Sequence, residues 1–277
     1  MIAAAILDEC VQVCVGRGGR RGAVKTVYSA PYGHAEAPLW GDAAAALWST
    51  YDLPRRRIAL ILPRQAAITK VLTLPRMGHK QTLEAIRWEL QGEEELVTDF
   101  LPLETEGKRR RILAAACRRT VLEGVLECLS RLGLEPGRIS VPVESLLKLL
   151  PTYPQMQDKT VLWLVFDGGA VQSFLAERGA YRYCGSARVF APAGTAEFAA
   201  EVEGIVSGLM QFYASERRTA PITHLYYAGC TEEGFSPCRG AVAALGLTAQ
   251  PLPECPRLTL PQGEDLGKWV YCAGSFL

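Results

Sequence analysis

VLWLVFDGGAVQSFLAERGAYRYC, residues Val161 to Cys184, reads as a three-stranded meander. The unbroken apolar run Val161–Phe166 has the pattern of a strand buried on both faces. Asp167-Gly168-Gly169 supplies a reversal, Val171–Ala176 a second strand, Glu177-Arg178-Gly179 another reversal and Ala180–Cys184 a third strand. Just upstream, Tyr153–Lys159 turns polar and carries proline, which places a domain boundary near residue 158. The amino terminus opens the same way: Ile2–Val15 reads as a strand, Gly16–Gly22 as a glycine-rich turn and Ala23–Ser29 as a returning strand. Two similar openings suggest internal duplication, with halves at 1–158 and 159–277.

Between the openings, the order of elements argues for α/β architecture, with mixed sheets flanked by helices. Asp42–Thr50 is an Ala-rich helix candidate, and Ile58–Leu62 a buried strand behind Arg55-Arg56-Arg57. Ala66–Leu74 is β-branched and stops at Pro75, after which Leu83, Ile86 and Leu90 recur at helical spacing. Trp88 lies off that stripe, either packing on a neighbouring subdomain or standing exposed as an anchor for a partner. The cationic run Lys108–Arg111 leads into a strand at Ile112–Cys117. Thr120 and Glu123 then form a capping box, and Gly133 closes the helix. Ile139–Val143 reads as a strand and Glu144–Leu150 as a helix. Phe198, Val202, Ile205, Leu209 and Phe212 define a long helix from about Thr195 to Arg217. Ile222–Tyr227 reads as a strand, Ala241–Leu245 as a helix and Trp269–Cys272 as a last short strand.

Composition narrows function by exclusion. Of 277 residues 49% are hydrophobic, enough for a substantial core, and 30 Lys+Arg against 29 Asp+Glu leave a net charge of +1. No global basic field exists to hold nucleic acid or an anionic membrane. Met1–Leu7 is apolar without a positive leader, and no 18-residue apolar window occurs, so the chain reads as soluble and unexported. Nine cysteines without a C-x-x-C point to structural thiols in a reducing cytoplasm. His34, His79 and His224 are isolated, so no metal site is expected. The Gly16, Gly18, Gly19 run lacks both the helix of a dinucleotide fingerprint and the Gly-Lys-Ser/Thr of a P-loop, and reads as a turn.

The segment Leu62–Gln91, LPRQAAITKVLTLPRMGHKQTLEAIRWELQ, resembles the PilM family of type IV pilus assembly proteins, with its strand, Leu-Pro stop and EAIRWE helix. Similarity continues through PVESLL at Pro142–Leu147, the strand at Val161 and Leu209-Met-Gln-Phe-Tyr213 to the carboxyl terminus, and the cytoplasmic domain of GspL is more distantly similar. The resemblance implies an actin-like, FtsA-like ATPase fold of two halves, with an inserted subdomain at about 62–138. It also implies hairpin turns that in relatives contact nucleotide phosphates. There the pattern departs from members that bind ATP. In place of Asp-x-Gly-Ser/Ala-Ser-Ser, the first hairpin reads Ala5-Ile-Leu-Asp-Glu-Cys10, without glycine and with two carboxylates. The second reads Val165-Phe-Asp-Gly-Gly-Ala170, preserving only Asp167, Gly168 and Gly169, and the adenosine-side turn Ala228-Gly-Cys-Thr231 keeps only Gly229. Hydrolysis needs magnesium carboxylates and backbone N–H donors placed together.

The resemblance therefore implies a non-catalytic cytoplasmic scaffold, without cofactor, on a type IV pilus, competence or type II secretion platform. It would sit at the inner face of the membrane through partners alone. In the family the cytoplasmic tail of a PilN-like bitopic membrane protein docks between the first large subdomain and the inserted one. Arg64, Arg76, Arg87 and Trp88 on the insertion are the candidates for that groove. Other platform components are further expected partners. The alternative is an active actin-fold ATPase or sugar-kinase-like enzyme, using ATP with magnesium, with Asp8 and Asp167 as the magnesium and general-base carboxylates.

Overall fold

The computed structural model describes residues 1–33, 40–90, 95–216 and 220–277. His34, Gln91 and the expected helix end at Arg217 lie outside the described residues. The chain forms two compact units, Met1–Val13 with Tyr28–Pro142, and Cys14–Val27 with Val143–Leu277. Tyr153–Lys159, where the sequence places its boundary, belongs to the second of these.

The chain opens with β1 (Ile2–Ile6) in the first unit, then β2 (Cys10–Arg17) and β3 (Gly22–Pro31), within which the division between the units falls. The continuous strand expected over Ile2–Val15 is thus two strands. Leu7-Asp8-Glu9 reverses the chain, closed by the Leu7 N–H donating to the Cys10 carbonyl at 2.9 Å. Apolar residues on both sides of this turn mask it in the sequence. Then come α1 (Trp40–Tyr51), β4 (Arg56–Ile61), β5 (Ala67–Pro75), α2 (His79–Glu89), β6 (Leu96–Glu106), β7 (Arg109–Arg118), α3 (Arg119–Arg131) and β8 (Glu135–Ser140). The first sheet is six-stranded, Leu258–Thr259 followed by β3-β2-β1-β4-β8, with β4 parallel to both β1 and β8. Every residue of β1, IAAAI, is buried, as are Trp40, Leu47 and Trp48 of α1.

Between β4 and β8 the chain forms a separate antiparallel sheet, β5-β7-β6. Leu72, Ile86, Ile112 and Ala114 form its core, with Leu74, Leu83, Leu90 and Phe100 packed around them. The stripe on α2 thus faces the sheet. β6 escapes sequence reading because Asp99 and Pro102 interrupt it, and its register slips between Pro102 and Thr105. The expected capping box on α3 does not form. β7 runs directly into the helix, so Arg118 becomes the N-cap without a side-chain bond and Thr120 falls inside the first turn. The Arg119 N–H is instead taken by the Glu95 carbonyl at 2.9 Å.

The second unit continues with α4 (Pro142–Leu149), β9 (Thr160–Asp167), β10 (Ala170–Glu177), β11 (Ala180–Arg188), α5 (Ala196–Ser215), β12 (Ile222–Ala228), α6 (Glu232–Phe235), α7 (Cys238–Ala244), β13 (Thr248–Pro251), β14 (Leu258–Thr259) and α8 (Leu266–Gly274). Its sheet runs β11-β10-β9-β12-β13, an antiparallel meander joined at β9 to two parallel strands. Arg178 and Gly179 both take positive φ, 51° and 73°, as a two-residue turn matched to strand twist requires. Thr195 caps α5 by accepting the Phe198 N–H at 3.1 Å, worth about 1 kcal/mol. Phe198, Val202, Val206 and Tyr213 are the buried side of α5, whereas Ile205 and Leu209 are half-buried and Phe212 is exposed. The burying face is therefore rotated from the stripe read in the sequence. The last element corrects another expectation: Trp269–Cys272 lies in a helix. Trp269 through Ala273 are all buried, so no amphipathic period distinguishes helix from strand. All nine cysteines are free thiols.

Two expected outcomes test this description. Arg57 takes a left-handed φ of 55° on β4, and a Cβ added at Gly137 on β8 would come within 2.9 Å of its Cα. Gly137→Ala should therefore cost about 1–3 kcal/mol in urea unfolding, and an unchanged midpoint would contradict the β4–β8 register. His224 lies with Nε2 3.3 Å from the Lys159 ammonium and Nδ1 2.8 Å from the Thr223 hydroxyl. Burial, then the Lys159 charge, lower its pKa below 6.5, against a weaker opposing pull from Asp158. The unfolded chain then binds the proton more readily, so stability should fall as pH drops below about 6.5 and level off below the folded pKa. His224→Gln should flatten that part of a pH series of melting temperatures.

Candidate functional site

The turn between β1 and β2 is where the first phosphate-contacting hairpin is expected. Both oxygens of the Asp8 carboxylate are engaged there. Oδ2 accepts from Arg64 Nη2 at 3.0 Å, and Oδ1 from Gln65 Nε2 at 2.9 Å. The pair is largely removed from water, with side-chain exposures of 12% for Arg64 and 8% for Asp8. Removing one partner of so buried a pair costs about 3–5 kcal/mol, because the other charge is left uncompensated. Tyr32, just beyond β3, clasps the same turn: its hydroxyl donates to the Leu7 carbonyl, and its N–H to the Glu9 carbonyl at 2.7 Å. Without glycine in Leu7-Asp8-Glu9, the backbone has no φ-free position at which to approach a phosphate closely.

The second hairpin turn joins β9 to β10 through two residues, since Asp167 pairs with Ala170. Gly168 takes φ 57° and the Gly169 carbonyl accepts from the Val189 N–H at 2.9 Å. Asp167 is buried at the strand end. Gly229 follows β12, which runs parallel to β9, so both strands end on the same edge of the sheet. With φ at 72°, a Cβ on Gly229 would overlap the Phe166 carbonyl oxygen. Glycine is required there by close backbone approach, whatever binds. In the next position burial pushes the Cys230 thiol up in pKa. Thr231 turns away to cap α6, accepting the Gly234 N–H at 3.0 Å. Within the second unit, then, Asp167, Gly168, Gly169 and Gly229 share one edge, and Asp8 belongs to the first unit.

The four candidates for partner binding separate. Arg64 is spent on Asp8. Arg76 is exposed just beyond β5, its N–H donating to the Lys108 carbonyl at 3.0 Å. Arg87 is exposed on α2, and Trp88 beside it is 74% exposed, while the other four tryptophans are buried. The structure thus decides against packing for Trp88 within the chain. Next to Trp88, Glu89 reaches Lys70 on β5 at 3.5 Å, and one pleat further on the same face Ile68 is 64% exposed. Sequence reasoning missed Ile68, Tyr32 and Gln65. A strand pattern alone does not show which side of an edge strand a helix leaves uncovered.

No protein-family model and no curated protein matches the chain. Among solved structures, it is similar to the PilM-PilN type IV pilus biogenesis complex, with 17% identity over 99% of this chain and 97% of that one and a TM-score of 0.79. It is also similar to a Bacteroides thetaiotaomicron protein with an actin-like ATPase fold and unknown function, at 6% identity over 97% and 93% of the two chains with a TM-score of 0.58. A third likeness is to the cytoplasmic domain of EpsL, an inner membrane component of the type II secretion system of Vibrio cholerae. There identity is 12% over 99% and 93%, with a TM-score of 0.53. Mixed sheets flanked by helices, with these neighbours, give the chain the actin-like ATPase fold.

Proposed function

We propose that the chain is a PilM-like, non-catalytic scaffold of a type IV pilus or related secretion assembly platform, and that it binds the cytoplasmic tail of a PilN-like membrane protein. The observation that carries this reading is the likeness to the PilM-PilN complex over nearly the whole of both chains. The state of Asp8 supports the non-catalytic part. A carboxylate already engaged by Arg64 and Gln65 is poorly placed to hold a magnesium ion, and the turn lacks glycine to cradle phosphate. No helix among the described residues is long and apolar enough to cross a membrane, so attachment to the inner face would come through partners. The tail would dock between the inserted subdomain and the first sheet. β5 is an edge strand, so an extended segment could add main-chain hydrogen bonds there while its side chains fill pockets. Arg76, Arg87 and Trp88 are the exposed side chains proposed to meet it, since Trp and Arg dominate desolvated contacts.

An isolated tail peptide should bind at about micromolar strength, because ordering it opposes association, and shared attachment to one membrane platform compensates through effective concentration. Trp88→Ala and Arg87→Glu should each weaken binding in calorimetry while leaving the melting curve nearly unchanged, as both side chains are exposed. Unaltered binding in both variants would move the dock elsewhere.

The ATPase alternative keeps one favourable observation, the buried Asp167 beside Gly168 and Gly169 at the end of β9. Because a ligand stabilises a fold only through its occupancy of the native state, millimolar Mg-ATP should raise the melting temperature by less than about a degree. A shift of several degrees would restore the enzyme reading.

A further inference from the structure

We propose that Asp8, Arg64 and Gln65 form a latch that fixes the inserted subdomain to the first sheet, with Arg64 serving as a built-in cation for the Asp8 carboxylate. The chain leaves the sheet at the end of β4, passes Leu62 and Pro63, makes a single 3₁₀ turn at Arg64–Ala66 and enters β5 at Ala67. That short connection is the subdomain's entry hinge. Two consecutive side chains on it reach back to one carboxylate, Arg64 to Oδ2 and Gln65 to Oδ1, across 56 and 57 residues of sequence.

The receiving end is itself fixed, because Tyr32 ties both Leu7 and Glu9 of the same turn to the segment after β3. Hinge, turn and strand end therefore form one closed circuit within the first unit. Burial of the pair limits screening by solvent and salt, unlike the exposed Arg56–Glu135 pair at the other end of β4. The latch is also incompletely satisfied. Arg64 Nε is buried without an acceptor. An unpaired buried donor lowers the net stability of the closed arrangement, so opening costs less than breaking a fully bonded network. Closed, the latch sets the angle of the β5-β7-β6 sheet at its entry hinge. Open, it leaves the subdomain held by its exit through α3 into β8.

Hydrogen exchange followed by mass spectrometry, on the full chain without peptide or nucleotide, tests this independently of the function proposed above. Asp8→Asn should raise amide exchange over residues 63–69 about tenfold or more, with β9 unchanged. Trypsin should also cleave after Arg64 in that variant earlier than in the wild type. Gln65→Met removes one clasp from an exposed residue and should raise exchange at the same amides by about threefold. Wild-type exchange over residues 63–69 in a folded Asp8→Asn chain overturns the latch. If Asp8→Asn raises exchange everywhere through global unfolding, Gln65→Met decides: a local rise supports the latch, and wild-type exchange overturns it.

Discussion

Burial of both faces of β9 is the constraint around which the second unit is arranged. Leu162 and Leu164 point into the cluster closed by Phe198, Val202 and Val206 of α5. On the other face Trp163 packs edge-on against Tyr153 at 5.7 Å and beside Phe174 at 5.2 Å. A strand covered on both sides cannot sit at a sheet edge without exposing apolar surface, so it takes β10 on one flank and β12 on the other. The antiparallel neighbour is reached by a two-residue turn, whereas the parallel one needs a long crossover, which α5 provides. Tyr153 shows how dry this core is: burial pushes its phenol well above the ordinary tyrosine range, and its hydroxyl donates to the Pro253 carbonyl at 2.9 Å.

The same packing explains why glycine at the sheet's end is a poor guide to ligand chemistry. Gly229 is required because Phe166 backbone lies where a Cβ would stand, and Gly168 because the turn after β9 needs positive φ. Both needs arise from the fold. A nucleotide site built on this architecture would use glycines in addition to these. What surrounds them here is a half-buried thiol at Cys230, a threonine committed to capping α6 and a Glu232 carboxylate paired with Arg239 at 2.6 Å. The edge retains its shape while its polar groups are engaged with one another.

Arg64 illustrates how an element's neighbours reassign a side chain. In the sequence it stands between Pro63 and a β-branched run, on a segment whose resemblance points to a partner groove. In the structure its guanidinium is turned inward onto Asp8, a residue 56 positions earlier. Arg87 and Trp88, adjacent in sequence and on the outer side of an amphipathic helix, remain exposed. One charged residue has become part of the internal architecture and its neighbours along the chain have remained surface. The difference follows from where each lies: at the hinge of the subdomain, or on a face that no other element covers.

Local pattern was sufficient wherever a residue's environment repeats at a fixed period. The meander from Val161, the stop at Pro75, the apolar face of α2 and the start of α5 near Thr195 were legible because alternation and helical spacing act over a few residues. The absence of glycine from Leu7-Asp8-Glu9 is likewise a local fact. Tertiary structure decided the rest. The reversal at Leu7-Asp8-Glu9 is hidden inside apolar sequence and is set by pairing. Thr120 lost its cap role because β7 runs straight into α3. The terminal segment gave no sign of its helix because burial all round erases the period that would mark one, and Arg64 found Asp8 only because β1 and β4 lie side by side. Such contacts join residues far apart in the chain, and their free energy depends on distances that no local sequence pattern encodes.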